Sequence, residues 1–182
     1  MHQFHKLVLL CFGILVAGKM LGQTISTTPW TKVVPSSGLP AGIEIQDGNN
    51  NLDVTFYQGR YYFAFRTAPS HFASPKVHLY ILSSADRKTW QLEKDIHVGS
   101  DLREPRFLAM DTALYFYCFE AGTDPLGFRP KHIWACHKGG SGHFGELRDL
   151  HWDCFVPWRL RRRGDQMYMS AYYGCDLYSG KH

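Results

Sequence analysis

Three stretches decide the fold: Tyr62-Phe63-Ala64-Phe65, Tyr115-Phe116-Tyr117-Cys118 and Tyr168-Met169-Ser170-Ala171, with successive copies 53 residues apart. Self-similarity at one fixed spacing marks a repeated supersecondary unit. The segments just upstream keep the same offset, as Asp53-Val54, Arg106-Phe107 and Arg159-Leu160. Between each upstream segment and its aromatic stretch stands turn chemistry: Gln58-Gly59-Arg60, Asp111-Thr112 and Gly164-Asp165. Polar turn residues between apolar, aromatic and β-branched runs read as hairpins.

Working outward, a third strand falls in register in two units, at His78-Leu79-Tyr80-Ile81 and Lys131-His132-Ile133-Trp134. A fourth follows at Thr89 to Ile96, with a weaker equivalent around Leu147 to Trp152. No segment after residue 22 carries a helical period with caps, so the expected class is all-β. Four antiparallel strands in a unit of about 40–50 residues describe the blade of a β-propeller. The blades span about 43–98, 101–152 and 153–182, after a lead-in at 23–42, which makes about two and a half blades. A propeller closes with about four or more blades, and each blade buries its faces on its neighbours. The expectation is therefore an incomplete propeller in a truncated chain. The alternatives are a smaller β-sandwich or self-association in which two chains complete one ring.

His2, His5 and Lys6 precede an apolar run from Leu7 to Ala17 that is too short to span a bilayer as a helix. Residues 1–22 accordingly read as a signal peptide, and the protein as secreted, extracellular or periplasmic, with no membrane attachment after cleavage. The alternative is a retained hydrophobic anchor. The net charge of +4 falls to +2 when Lys6 and Lys19 are removed, 18 basic against 16 acidic residues. That is no nucleic-acid footprint. Arg159, Arg161, Arg162 and Arg163 sit in a strand context, where alternation sends them to two faces and solvation is the default role. Beyond Cys11, the four cysteines Cys118, Cys136, Cys154 and Cys175 allow three pairings or buried free thiols, and their spacing matches no zinc module.

Between the third and fourth strands of the first unit stands Ser84-Ala85-Asp86-Arg87-Lys88-Thr89-Trp90. It resembles the Asp-box of sialidases, S-x-D-G-x-T-W, with Arg87 where the family prefers glycine. The resemblance covers residues 43–182 and implies a structural turn at Ser84, Asp86, Thr89 and Trp90. It also implies a ligand site in the funnel lined by the inner strands and by the loops between second and third strands. Candidate positions there are Asp53, Arg66, His71, Arg103, Glu104, Glu120, Asp124, Trp158 and Arg159. The family's F-R-I-P arginine has no counterpart in Leu52-Asp53-Val54. The loop after Arg66, where the family carries an acid/base Asp, reads Thr67-Ala68-Pro69-Ser70-His71.

A weaker resemblance links Arg103-Glu104-Pro105 to the R-D-P motif of five-bladed fructosidases, which set paired carboxylates across the scissile bond. The expected function is a glycoside hydrolase acting on terminal sugars. Asp53, Glu104 and His71 are its candidate acid/base or nucleophilic groups, and Arg66, Arg103, Trp158 and Arg159 bind the substrate. The alternative is a non-catalytic carbohydrate-binding or protein-binding propeller. The expected partner is a glycan or glycoconjugate. No cofactor and no metal are expected, because His132, His137, His143 and His151 lack a paired ligand spacing.

Overall fold

The computed structural model describes residues 26–140 and 142–175. The expected signal peptide and the last residues of the third unit lie outside them. The chain divides into two units, Met1–Thr31 and Lys32–His182. In the first, residues 26–31 are described and form neither helix nor strand.

All ten described strands belong to the second unit, and no helix occurs among the described residues. Strands β1 (Gly48–Tyr57), β2 (Arg60–Ala68), β3 (His78–Ser84) and β4 (Gln91–Ile96) make one antiparallel sheet in sequential order. Strands β5 (Asp101–Ala109), β6 (Ala113–Gly122), β7 (Ile133–Gly139) and β8 (Arg148–Asp149) make a second of the same topology. Strands β9 (Phe155–Arg163) and β10 (Gln166–Tyr173) form a hairpin. The all-β class is thus observed as antiparallel sheets of four, four and two strands. The Gln58-Gly59 and Gly164-Asp165 turns fall between paired strands, as their chemistry dictates.

Successive sheets touch through their first strands: β1 packs on β5, and β5 on β9. Each first strand carries a register shift near the same repeat position: between Asn50 and Leu52, between Arg103 and Arg106, and at Trp158 opposite Ser170 and Ala171. A bulge inserts an extra residue and re-aims the side chains that follow. Leu79, Ile81, Tyr62 and Ala64 of the first sheet are buried with Phe107, Leu114 and Phe116 of the second. Phe119, Ile133 and Val156 join the second sheet to the hairpin. On the far side of the first sheet, Phe65, Tyr80, Leu82 and Trp90 are covered by Val33, Val34, Leu39, Ile43 and Ile45.

The turn between β3 and β4 is built by two side chains. Ser84 Oγ accepts from the backbone N–H of Asp86 and Arg87, and Asp86 Oδ1 accepts from those of Lys88 and Thr89. Arg87 adopts φ +63°, the left-handed region that glycine occupies most easily, and its guanidinium lies 5.4 Å over the Tyr61 ring. The Trp90 side chain is buried against Phe63, and the Trp90 backbone N–H donates to Gly38 O at 2.8 Å. A Cβ at position 38 would sit 1.9 Å from Lys88 O, so this crossing requires glycine.

The cysteines divide. Cys154 and Cys175 form a disulfide that ties the start of the last hairpin to its end, while Cys118 and Cys136 are buried free thiols. Burial pushes the Cys136 thiol up to about 11 and that of Cys118 well above its usual value, so neither is a thiolate at neutral pH.

The backbone N–H donors of Thr89 and Lys88, with Ser84, hold the Asp86 carboxyl below its usual 3.8, at about 2. A carboxyl depressed by folding contributes stability that is full above the unfolded value and lost as pH falls through the folded one. Asp86→Ala should therefore lower the melting temperature at pH 6. The gap from the parent should close between about pH 4 and pH 2. A gap independent of pH would mean that the carboxylate does not hold this turn.

Candidate functional site

The loops between second and third strands, expected to line a ligand site, face each other across a cleft. Residues 69–77 follow β2, and residues 123–132 follow β6. The cleft has a volume of about 390 Å³ and is lined by His71, Phe72, Arg103, Asp124, Leu126 and Phe128 among others. A larger hollow of about 580 Å³ lies between the second sheet and the hairpin, walled by Tyr117, Ile133, Leu160 and Met169. None of the sequence-selected acids or bases lines that hollow.

The wall of the smaller cleft rests on a buried ionic triad. Arg66 and Asp101 are both 0% exposed and meet at 2.7 Å, Nε to Oδ1. Asp101 Oδ2 accepts from Arg103 Nε at 2.6 Å. Arg66 also donates from Nη1 to Asn50 Oδ1 and Ser70 O and from Nη2 to Phe72 O. Arg66, expected to bind substrate, is instead placed by these contacts inside the sheet wall, where it holds the 69–77 loop. Gly48 assists, because a Cβ there would lie 2.8 Å from the Ser70 carbonyl.

Arg103 reaches the cleft. Its Nη2 donates to His71 O at 2.9 Å, its guanidinium stands 5.5 Å over the Phe128 ring, and its Nη1 has no hydrogen-bond partner among the described residues. His71 is exposed, with Nδ1 3.0 Å from Asn50 Nδ2. On the opposite loop, Asp124 Oδ1 accepts from Leu126 N. Two guanidiniums against one carboxylate leave the triad with a net charge of +1 behind one wall of the cleft.

The other candidates gather where the first strands meet. Asn51 and Glu104, 53 residues apart, both take left-handed backbone angles, φ +45° and +50°. Asn51 Nδ2 donates to Glu104 Oε1 at 2.6 Å, and Asn51 Oδ1 is buried with no hydrogen-bond partner among the described residues. Arg106 Nη2 pairs with Glu104 Oε2, while Arg106 Nε donates to Trp158 O. Arg103 and Glu104 thus do not pair with each other at the strand entrance; each has a different partner. Asp53 accepts from Val54 N and, at 2.7 Å, from Phe107 N. Burial raises its carboxyl above the usual range, against the pull of those two N–H donors and of Arg106. Both Asp53 oxygens are engaged by backbone, so Asp53 latches β1 to β5.

Trp158 is 56% exposed, with its ring 6.1 Å from Tyr172. Arg159, Arg161, Arg162 and Arg163 are all exposed, and Arg162 pairs with Asp111 across the sheets. Glu120, expected in a loop, is a buried member of β6 that accepts from Trp134 Nε1 at 3.3 Å. The sequence reading missed Asn50, Asn51, Asp101 and Arg106. Asn51 and Arg106 had one available signal: they lie in or beside the segments that repeat at 53 residues. No group of three or more His, Cys, Asp or Glu residues suited to a metal ion occurs among the described residues. The chain matches no protein-family model and no curated protein.

Proposed function

We propose that this is a secreted, glycan-binding β-propeller protein, similar to sialidases in blade construction, that holds an anionic sugar in the cleft between its first two sheets. The propeller reading is supported by contacts between positions at or next to repeat equivalence in successive sheets. Asn51 bonds Glu104 over a separation of 53 residues, Asp53 bonds Phe107 over 54, and Arg106 bonds Trp158 over 52. The first joins equivalent positions and the other two fall within one residue of equivalence, as expected when each sheet is carried onto the next by one repeated operation.

The observation that carries the functional reading is the triad's net positive charge behind one wall, set beside hydrogen-bonding groups that face the cleft. Arg103 Nη1 is a donor for a carboxylate or sulfate, Asp124 is an acceptor for sugar hydroxyls, and the exposed Phe72 offers apolar surface to a pyranose face. Trp158, exposed at the bulge of β9, adds a second platform. Hydrolysis is a second reading, favoured by the left-handed Glu104 beside Asn51 Oδ1, which is buried with no hydrogen-bond partner among the described residues, since backbone strain collects at functional sites.

Calorimetric titration of the intact chain with methyl glycosides of glucuronic acid, N-acetylneuraminic acid and glucose tests the binding reading. At least one anionic sugar should bind and glucose should not. Arg103→Ala should weaken binding by more than about tenfold, with Arg103→Lys intermediate. Binding of none, or equal binding of glucose, would remove the reading. If the protein also cleaves aryl glycosides, Glu104→Gln should lower turnover by about a hundredfold or more. Unchanged turnover would exclude Glu104 as the acid or base.

A further inference from the structure

The hydrogen bonds around Asn50 fix the protonation pattern of His71. Arg66 Nη1 lies 3.1 Å from Asn50 Oδ1, and a guanidinium has donors only, so the atom facing it must be the amide oxygen. The opposite amide orientation would set N–H against N–H. Arg66 cannot turn away, because Asp101 Oδ1, Ser70 O and Phe72 O hold its other nitrogens. The Asn50 nitrogen is thereby directed at His71, 3.0 Å from Nδ1. An amide NH₂ donates and does not accept, so His71 Nδ1 must offer its lone pair. In a neutral imidazole the proton then resides on Nε2.

We infer that Asn50 is a positioning residue that locks His71 as an Nε2–H donor, so that His71 and Arg103 both present donors to the cleft and select a ligand whose facing group is a pure acceptor. The loop backbone reinforces the arrangement, since Arg103 Nη2 holds His71 O at 2.9 Å. The inference rests on the cleft being the ligand site. It adds to that reading a reason an anionic oxygen is preferred to a hydroxyl: His71 Nε2 and the Arg103 guanidinium offer donors only, so a hydroxyl placed there must direct its proton elsewhere, whereas a carboxylate or sulfate oxygen has none to place. Asp124 accepts from Leu126 N on the facing loop, 123–132, and stays available to the sugar's hydroxyls.

The test is nitrogen-15 NMR of the His71 ring in the intact, ligand-free chain, assigned by comparison with His71→Gln, followed by the same spectra for Asn50→Asp. The wild-type ring should be the Nε2–H tautomer. Asn50→Asp keeps an oxygen for Arg66 but replaces the donor at Nδ1 by an acceptor, so the ring should move to the Nδ1–H or doubly protonated form. Affinity for the anionic methyl glycoside should fall by about tenfold. An Nδ1–H ring in the wild type, or a ring unchanged in Asn50→Asp, overturns the lock. If Asn50→Asp does not fold, the wild-type spectrum alone decides. A ring that behaves as expected in a protein binding no anionic sugar upholds the lock and overturns the proposed ligand.

Discussion

The arrangement depends on one buried contact, Arg66 Nε to Asp101 Oδ1 at 2.7 Å with both side chains fully buried. Two charges withdrawn from water cost several kcal/mol each, and only close pairing with every remaining donor and acceptor engaged offsets that cost. That requirement propagates. Asp101 must accept twice, which fixes Arg103; Arg66 must donate to Asn50, Ser70 and Phe72, which fixes the 69–77 loop. The cleft wall is thus a consequence of satisfying one ion pair between the first two sheets. A second polar bridge works in the same direction at another place: Lys138 of β7 pairs with Glu93 of β4 at 2.7 Å, and Ser83 donates to Glu93.

Apolar packing and polar linkage have separate tasks here. Side chains from the middle of each sheet, such as Leu79, Ile81, Leu114 and Phe116, exclude water between neighbours. That burial is non-directional and does not by itself set one sheet's register on the next. The bonds from Asn51 to Glu104 and from Asp53 to Phe107 do so, because each demands one alignment of β1 on β5. The left-handed angles at Asn51 and Glu104 are the local cost of that alignment, about 1–3 kcal/mol for each residue so placed.

Much of the fold was legible because its signals are local. The 53-residue spacing is carried by aromatic strand residues and turn residues, and the Ser84–Trp90 turn is closed by side chains two or three positions away. The starts of the first strands were not legible. Asn49, Asn50 and Asn51 have poor strand propensity, yet they belong to β1, where the bulge and side-chain bonds employ them. The bulge also defeats simple alternation along the strand. Arg66 was legible as an unusual charge among strand residues but not as a buried one, because its partner lies 35 residues on and no local pattern joins them. For the same reason the sequence left the disulfide open, while the fold joins Cys154 to Cys175.

The most direct test of the account is a double-mutant cycle on Arg66 and Asp101, using Arg66→Met, Asp101→Leu and the pair, read by urea unfolding. Breaking a buried pair from one side strands a charge, so each single substitution should cost about 3–5 kcal/mol, and the double should cost far less than their sum. Additive losses, or single losses within about 0.5 kcal/mol of zero as for ordinary surface substitutions, would contradict the claim that this pair joins the sheets and builds the cleft.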